Sequence, residues 1–367
     1  GYGPKEFPDT FQAFQQVLED KVISLGFNAG RDSFAGHLKT LSENRDTAFD
    51  LFRLSLSQPR FDKEPVERIR GQWLGQPERS AMLAGLMRES QDPGAQASRR
   101  LFEQSFPGHP YGRSARGTVD TVKTIQVADL RAQARAQLTL DRLVVGVVGD
   151  ITPDELARRL DQVFGALPAR SPLGDIPEVK AAPPPGLVTI PKDNPQTTAL
   201  FALPGLKRDD PDWYAAYVVN YILGGGGFSS RLTEEVREKR GLAYSVTSYL
   251  SPYARSGLIV GSVATEASRF GESVRLIREE FRRMRDEGPT DRELADAKTY
   301  LNGSFPLSQD STTAIAGLLV QMQVDRLPMD FLDRRPALID AVTIDDARRV
   351  ARRLLDPEAL SFVAVGK

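Results

Sequence analysis

With 367 residues the chain exceeds one ordinary hydrophobic core and suffices for two or three domains. A composition of 40% hydrophobic and 26% charged residues suits a folded protein, while a formal net charge of -1, from 48 basic and 49 acidic groups, excludes nucleic acid as a main partner, which would call for a strongly positive surface. Cysteine is absent, excluding disulfides, a thiol nucleophile, a Cys-based zinc site and an iron–sulfur centre, and only His37 and His109 remain as imidazoles for metal or acid–base chemistry.

No run approaches the roughly 18 to 20 apolar residues of a membrane span, and no signal peptide is visible after Gly1. Phe27 to Leu41 reads as a strand pair turning near Gly30 to Asp32, with Ser42 as N-cap of an amphipathic helix from Glu43 to Ser57. A helix over Asp129 to Arg135 then leads to an apolar strand, Leu143 to Gly149. The proline- and glycine-rich stretch 168–186 supports neither helix nor central strand, and it divides a first domain, 1–167, from a second, 187–367. Beyond it, Tyr244 to Leu250 and Leu258 to Val263 read as strands joined through Ser251-Pro252-Tyr253, followed by a helix over Arg269 to Asp286. The chain closes on a helix over Asp346 to Arg352 and a strand from Leu360 to Gly366. The arginine clusters at 282–285 and 348–353 are interrupted by apolar positions and read as wet helix faces.

The two halves end alike: from Asp129 to Gly149 and from Asp346 to Gly366 the distance is 20 residues in each. An offset of 217 pairs Phe27 with Tyr244 and Asp129 with Asp346. Such internal duplication predicts an α+β protein of two homologous domains, each a mainly antiparallel sheet flanked by helices.

The most informative stretch runs from Gly224-Gly225-Gly226-Gly227-Phe228-Ser229-Ser230-Arg231-Leu232 to Tyr244. Four consecutive glycines are costly to order and are expected where a backbone passes close to something. Ser229 or Ser230 can cap the following helix, which runs to about Lys239, and Gly241 can end it. Arg237 in its last turn and Tyr244 at the start of the next strand can then face one groove. A guanidinium suits a carboxylate or peptide carbonyl, and a phenol can donate to a carbonyl or a developing oxyanion. The plainer alternative is a simple turn, with Arg237 paired to Glu234 or Asp210 on the surface. The lack of a following Lys-Ser or Lys-Thr at nucleotide-loop spacing argues against a phosphate loop.

The order of features resembles the M16 zinc metallopeptidase family, which is pitrilysin-like and includes the mitochondrial processing peptidases, and within it the short bacterial M16B type that works in pairs. The matching pieces are Leu25-Gly26-Phe27-Asn28-Ala29-Gly30-Arg31-Asp32, Pro107-Gly108-His109-Pro110-Tyr111-Gly112-Arg113 with Gly117-Thr118, and Val147-Val148-Gly149-Asp150. Further on come Gly225 to Leu232, then Arg237 with Tyr244 seven positions later. The resemblance implies the metallohydrolase fold shared by LuxS and the processing peptidases. It also implies two subunits closing like a clamshell over an unfolded peptide or small protein, and a periplasmic location. Arg237 and Tyr244 inherit the role of holding substrate and supporting the transition state, with Gly225, Gly226, Gly227 and Phe228 beside the substrate.

Catalytic members of that family carry His-x-x-Glu-His and a second glutamate roughly 75 residues later, because two imidazoles one helical turn apart and a distant carboxylate grip zinc while the first glutamate handles the water proton. This sequence has no such motif. His37 falls in an expected strand, Ala35 to Leu41, and His109 in a loop where packing or hydrogen bonding is its expected task. The place of the downstream glutamate falls near Ala84 or Gly85, with Glu78 and Glu89 out of register, and Gly75 to Glu78 interrupt the expected helix there. The first domain is accordingly expected to start late, N-terminally truncated after the place of the metal motif. The expectation is a non-catalytic subunit that holds no cofactor and is inactive alone, partnered by a homologous subunit that carries His-x-x-Glu-His and Zn2+. The alternatives are a catalytic M16 peptidase whose metal motif lies outside this sequence, and a purely structural scaffold.

Overall fold

A computed structural model describes residues 11–63, 65–67, 91–115 and 117–367. Glu78, Ala84, Gly85, Glu89 and the interruption at 75–78 lie outside the described residues. The elements begin with α1 (Phe11–Asp20), β1 (Ser24–Ala29), β2 (Phe34–Lys39), α2 (Arg45–Ser57) and α3 (Pro93–Ser105). Next come α4 (Val119–Thr124), α5 (Val127–Gln137), α6 (Pro153–Phe164), β3 (Gly186–Pro191), β4 (Gln196–Pro204) and α7 (Trp213–Asn220). The chain continues through β5 (Ala243–Tyr253), β6 (Ser256–Glu266), α8 (Phe270–Glu287), α9 (Asp291–Ser304) and α10 (Thr312–Val324). It ends with α11 (Phe331–Asp340), α12 (Ile344–Leu354) and β7 (Ser361–Gly366).

These elements form two compact units: Gly1–Ala84, Ala115–Asp175 and Gln309–Val324 in one, and Gly85–Ser114, Ile176–Ser308 and Asp325–Lys367 in the other. The grouping crosses the sequence boundary expected near residue 168. Helix α3 joins the second-half sheet because Ala97, Leu101 and Phe102 bury against Ala202, Val363 and Val365. Its start is set locally, with Pro93 in the first turn and Asp92 Oδ1 accepting from the Ala95 amide at 2.7 Å.

In the first unit β1 and β2 pair antiparallel, Gly26 facing His37 and Phe27 facing Gly36. The His37 ring lies over Gly26, and a Cβ there would require that ring to move. Helix α2 buries Ala48 and Leu51 under the hairpin, and Leu56 against Val163 and Phe164 of α6. Ser42 does not cap it. The residue lies in a 3-10 turn over Ser42–Asn44, the helix opens at Arg45, and the Asn44 side chain donates instead to Lys21 O at 2.9 Å.

The expected strand from Leu143 to Gly149 is not a strand. The backbone is extended at Leu143 (φ -81°, ψ 127°), but β1 and β2 pair only with each other and no described strand runs beside this segment. It packs on α10 instead. A Cβ at Gly146 would lie 2.7 Å from Ala316 O, and Gln323 Nε2 donates to Val145 O at 2.9 Å.

The second unit is built on a five-stranded sheet of order β3-β7-β4-β6-β5, antiparallel except for the β3–β7 pair. Alternation with period two sends Ala199, Phe201 and Leu203 of β4 to one face and Ala202 to the other. Phe362 and Ala364 of β7 follow the first set, Val363 and Val365 the second. Helices α7, α8 and α12 cover the first face and α3 the second, so all six residues of β7 are buried. The result is an α+β fold in which helices flank a mainly antiparallel sheet. Hairpin followed by helix occurs in both units, as β1-β2-α2 and as β5-β6-α8.

Phe201 is the centre of the larger core, with ring centroids 5.8 Å from Phe281 and 5.5 Å from Phe362. Phe201→Ala should lower the unfolding free energy by about 3–5 kcal/mol, through lost burial and the cavity left behind. Chemical denaturation would show a lower midpoint at unchanged slope; a loss below about 1 kcal/mol would remove this ring from its central place.

Candidate functional site

After Asn220, α7 widens into a π turn over Tyr221–Gly225, and the glycine run presses onto β5. The buried Asn220 amide donates to Ser248 O at 3.1 Å, and Ser248 Oγ donates back to Asn220 Oδ1 at 2.8 Å. A Cβ at Gly224 would collide with Ser248 Oγ and stand 2.8 Å from Ser248 N; at Gly225 it would lie 2.9 Å from Asn220 Nδ2. The close backbone approach that glycine permits is therefore made to the chain's own elements, at 224 to strand β5 and at 225 to Asn220 of α7. Gly227 differs: its φ of 58° is left-handed, and the space where a side chain would stand is open.

The helix that follows starts and stops as its residues dictate. Ser230 Oγ donates to Gly227 O at 2.8 Å and lies 3.5 Å from the Thr233 amide, closing the N-terminus. After a π turn over Thr233–Glu238, Gly241 takes φ 58°, its amide reaches Arg237 O at 2.8 Å, and Leu242 N reaches Val236 O at 3.0 Å. Thr233 Oγ1 donates to Val246 O at 3.3 Å, so the outer carbonyls of β5 at Val246 and Ser248 are both taken by side chains.

Arg237 sits in the last turn, its guanidinium 4.9 Å from the centroid of the Phe228 ring and its Nε 3.6 Å from Glu238 Oε1. Neither alternative partner holds it: Glu234 pairs with Lys239 at 3.0 Å and Asp210 with Arg353 at 2.9 Å. Phe228 is 72% exposed, the Arg237 side chain 39% and Tyr244 60%. Tyr244 owes its position to a β-bulge. The register passes from Ala243↔Thr265 to Ser245↔Ala264, leaving Tyr244 as the extra residue, and Tyr244 and Ser245 are both exposed where strict alternation would hide one. The structure thus joins Arg237 to Phe228, while Tyr244 meets neither through a hydrogen bond or ring contact.

The anchor of this helix escaped the sequence reading. Arg231, 6% exposed, forms a two-pronged ion pair with Glu293 at 2.6 and 2.7 Å and donates to Gly288 O at 3.0 Å. Glu293 also closes the N-terminus of α9 in a capping box with Thr290. That Thr-x-x-Glu pattern was visible in the sequence; its partner, 62 residues away, was not. Burial pushes the Glu293 carboxyl up, but the hydrogen bonds from Arg231 and Thr290 outweigh it and hold the pKa down to about 2. Burial likewise pushes the Glu280 carboxyl up, with Arg283 opposing, and Glu280 Oε2 and Arg231 Nη1 are both buried without a hydrogen-bond partner.

Because folding holds Glu293 below its ordinary 4.5, the stability it adds is complete above pH 4.5 and drains away as pH falls towards 2. Glu293→Gln should cost about 3 kcal/mol at pH 7, where it strands a buried guanidinium. Melting curves of both proteins should differ most at neutral pH and converge in acid; a gap independent of pH would rule out the ion pair as its source.

Among the described residues no three His, Asp or Glu side chains gather as a metal site. Both nitrogens of His109 are engaged, Nδ1 accepting from the Tyr111 amide at 3.2 Å and Nε2 facing Pro177 O at 3.1 Å, which assigns the proton to Nε2. His37 lies on the hairpin over Gly26. No described helix is long and apolar enough to cross a membrane.

Known proteins resemble this chain in sequence and fold. The peptidase M16 inactive domain profile matches residues 124–301. The crystal structure of a peptidase M16 inactive domain from Pseudomonas fluorescens aligns with a TM-score of 0.88 at 31% identity, over 97% of this chain and 84% of that one. The non-peptidase homolog YmxG of Helicobacter pylori is 29% identical over 325 residues, 87% of this chain and 71% of its own length. An uncharacterized zinc protease of Streptomyces coelicolor is 34% identical over 284 residues, 76% of this chain but 62% of its own length. The chain belongs to the M16 peptidase family and carries the family's inactive domain.

Proposed function

We propose that the chain is the non-catalytic half of a two-subunit zinc peptidase, with Zn2+, its ligands and the general base on a homologous partner carrying His-x-x-Glu-His. One observation carries the reading: a chain of this family without that motif still presents Arg237, Phe228 and Tyr244 exposed around a glycine-rich loop. A guanidinium stacked on an aromatic ring is held in place yet keeps donors free for a peptide carbonyl or carboxylate. The Tyr244 hydroxyl, with no hydrogen bond among the described residues, is available to an oxyanion formed at the partner's metal. Gly225, Gly226, Gly227 and Phe228 form the substrate-facing rim, Gly227 being the position with open space beside it. The substrates are unfolded peptides or small proteins, and the compartment carried over from the resemblance is the periplasm. The recurring hairpin–helix order supports two homologous domains derived by duplication.

Purified alone, the chain should bind no stoichiometric zinc and cleave no unstructured peptide, whereas an equimolar mixture with the zinc-bearing partner should co-elute and degrade it. In that mixture Arg237→Ala and Tyr244→Phe should each lower kcat by about 10²-fold, the cost of removing one donor to a developing oxyanion, with co-elution intact. Full activity in both variants would withdraw their assigned roles.

The likeness to an uncharacterized zinc protease favours a second reading, a catalytic peptidase whose metal motif lies outside this sequence. Metal analysis of the full-length gene product decides between them, because only that reading gives one zinc per isolated chain.

A further inference from the structure

Beside the glycine run lies a hollow of about 390 Å³, with Gly225 on one side and Thr247, Tyr249 and Leu250 of β5 on another. Trp213, Tyr217 and Tyr221 of α7 and its π turn complete an aromatic wall. The volume falls within the range of small-molecule sites.

The rings differ in what they already touch. Arg208 covers the Trp213 ring at 4.9 Å, and Tyr221 stacks on Tyr300 at 5.3 Å and 28°. Tyr249, 48% exposed, has neither ring contact nor hydrogen bond among the described residues. Charge narrows the occupant further. Arg208 and Asp325 both line the hollow, 3.7 Å apart and each with a side chain 16% exposed. A cationic ligand would meet the guanidinium and an anionic one the carboxylate, while a neutral ring meets a balanced pair.

We propose that this hollow is a subsite for an aromatic side chain of an extended peptide, with Tyr249 supplying the ring it packs on. The proposal rests on the peptide-holding role inferred above and adds its selectivity. Thr247 and Tyr249 share one face of β5, and Tyr249 stands five residues beyond Tyr244, about 17 Å along an extended strand. A peptide engaged at Tyr244 and lying along β5 therefore reaches the hollow about five residues away from the bond that is cut. Selection for a ring at that distance is a preference that the Arg237 and Tyr244 positions could not exert.

Trp213 in the wall reports occupancy directly, and Trp73 is the only other tryptophan, so Trp73→Phe leaves one reporter. That variant, without any partner, would be titrated with blocked unstructured decapeptides identical except for a central Phe, Ala or Lys. The Phe peptide should change Trp213 emission saturably and at least about tenfold more tightly than the other two, a preference within reach of one buried ring contact. Tyr249→Ala should erase the preference and Tyr249→Phe keep it, with unchanged circular dichroism in both. Equal titration by the three peptides, tighter binding of the Lys peptide, or an intact preference in Tyr249→Ala would each overturn the subsite. Such results leave partner-dependent cleavage untouched, so failure of the subsite is separable from failure of the two-subunit reading.

Discussion

A side chain at position 224 has nowhere to go. Ser248 stands where its first carbon would be, and the Asn220–Ser248 pair of hydrogen bonds fixes the strand there. This contact between a glycine run and β5 sets the geometry of everything downstream. It fixes where α7 ends, where the loop turns at Gly227, and where the helix bearing Arg237 begins. The second restraint is Arg231, which ties the first turn of that helix to α9. Most ion pairs of the chain lie on its surface and contribute little. Arg231 and Glu293 differ because burial makes a missing partner expensive.

Much of the second unit was legible in the sequence. Alternating apolar runs located β5 and β6, the helix expected from Asp346 exists but opens two residues earlier at Ile344, and Gly241 ended its helix as expected. The failures share a cause, which is that sequence patterns are local and pairing is not. Leu143 to Gly149 has the composition of a strand, but a ladder also needs a neighbour, and none is described beside it. Helix α3 covers a sheet whose strands lie in the other half of the sequence, a pairing that no local pattern names.

The candidate site was legible by residue type and less so by geometry. Four glycines announce a close approach, yet cannot say whose backbone approaches; at 224 and 225 it is the chain's own. The bulge that presents Tyr244 leaves no trace in the sequence, because it arises from the register with β6. Phe228 was expected at the substrate rim; the contact of its ring with the Arg237 guanidinium could not be read from the sequence.

The outer edge of β5 has one further consequence. Thr233 and Asn220 already donate to the carbonyls of Val246 and Ser248, which weakens these two positions as acceptors for the amides of an added strand. A chain laid along those two positions would have to compete with bonds that the fold already makes. Blocking a neighbour's amides by N-methylation would cost it little at these two acceptors, whose lone pairs the fold has already engaged.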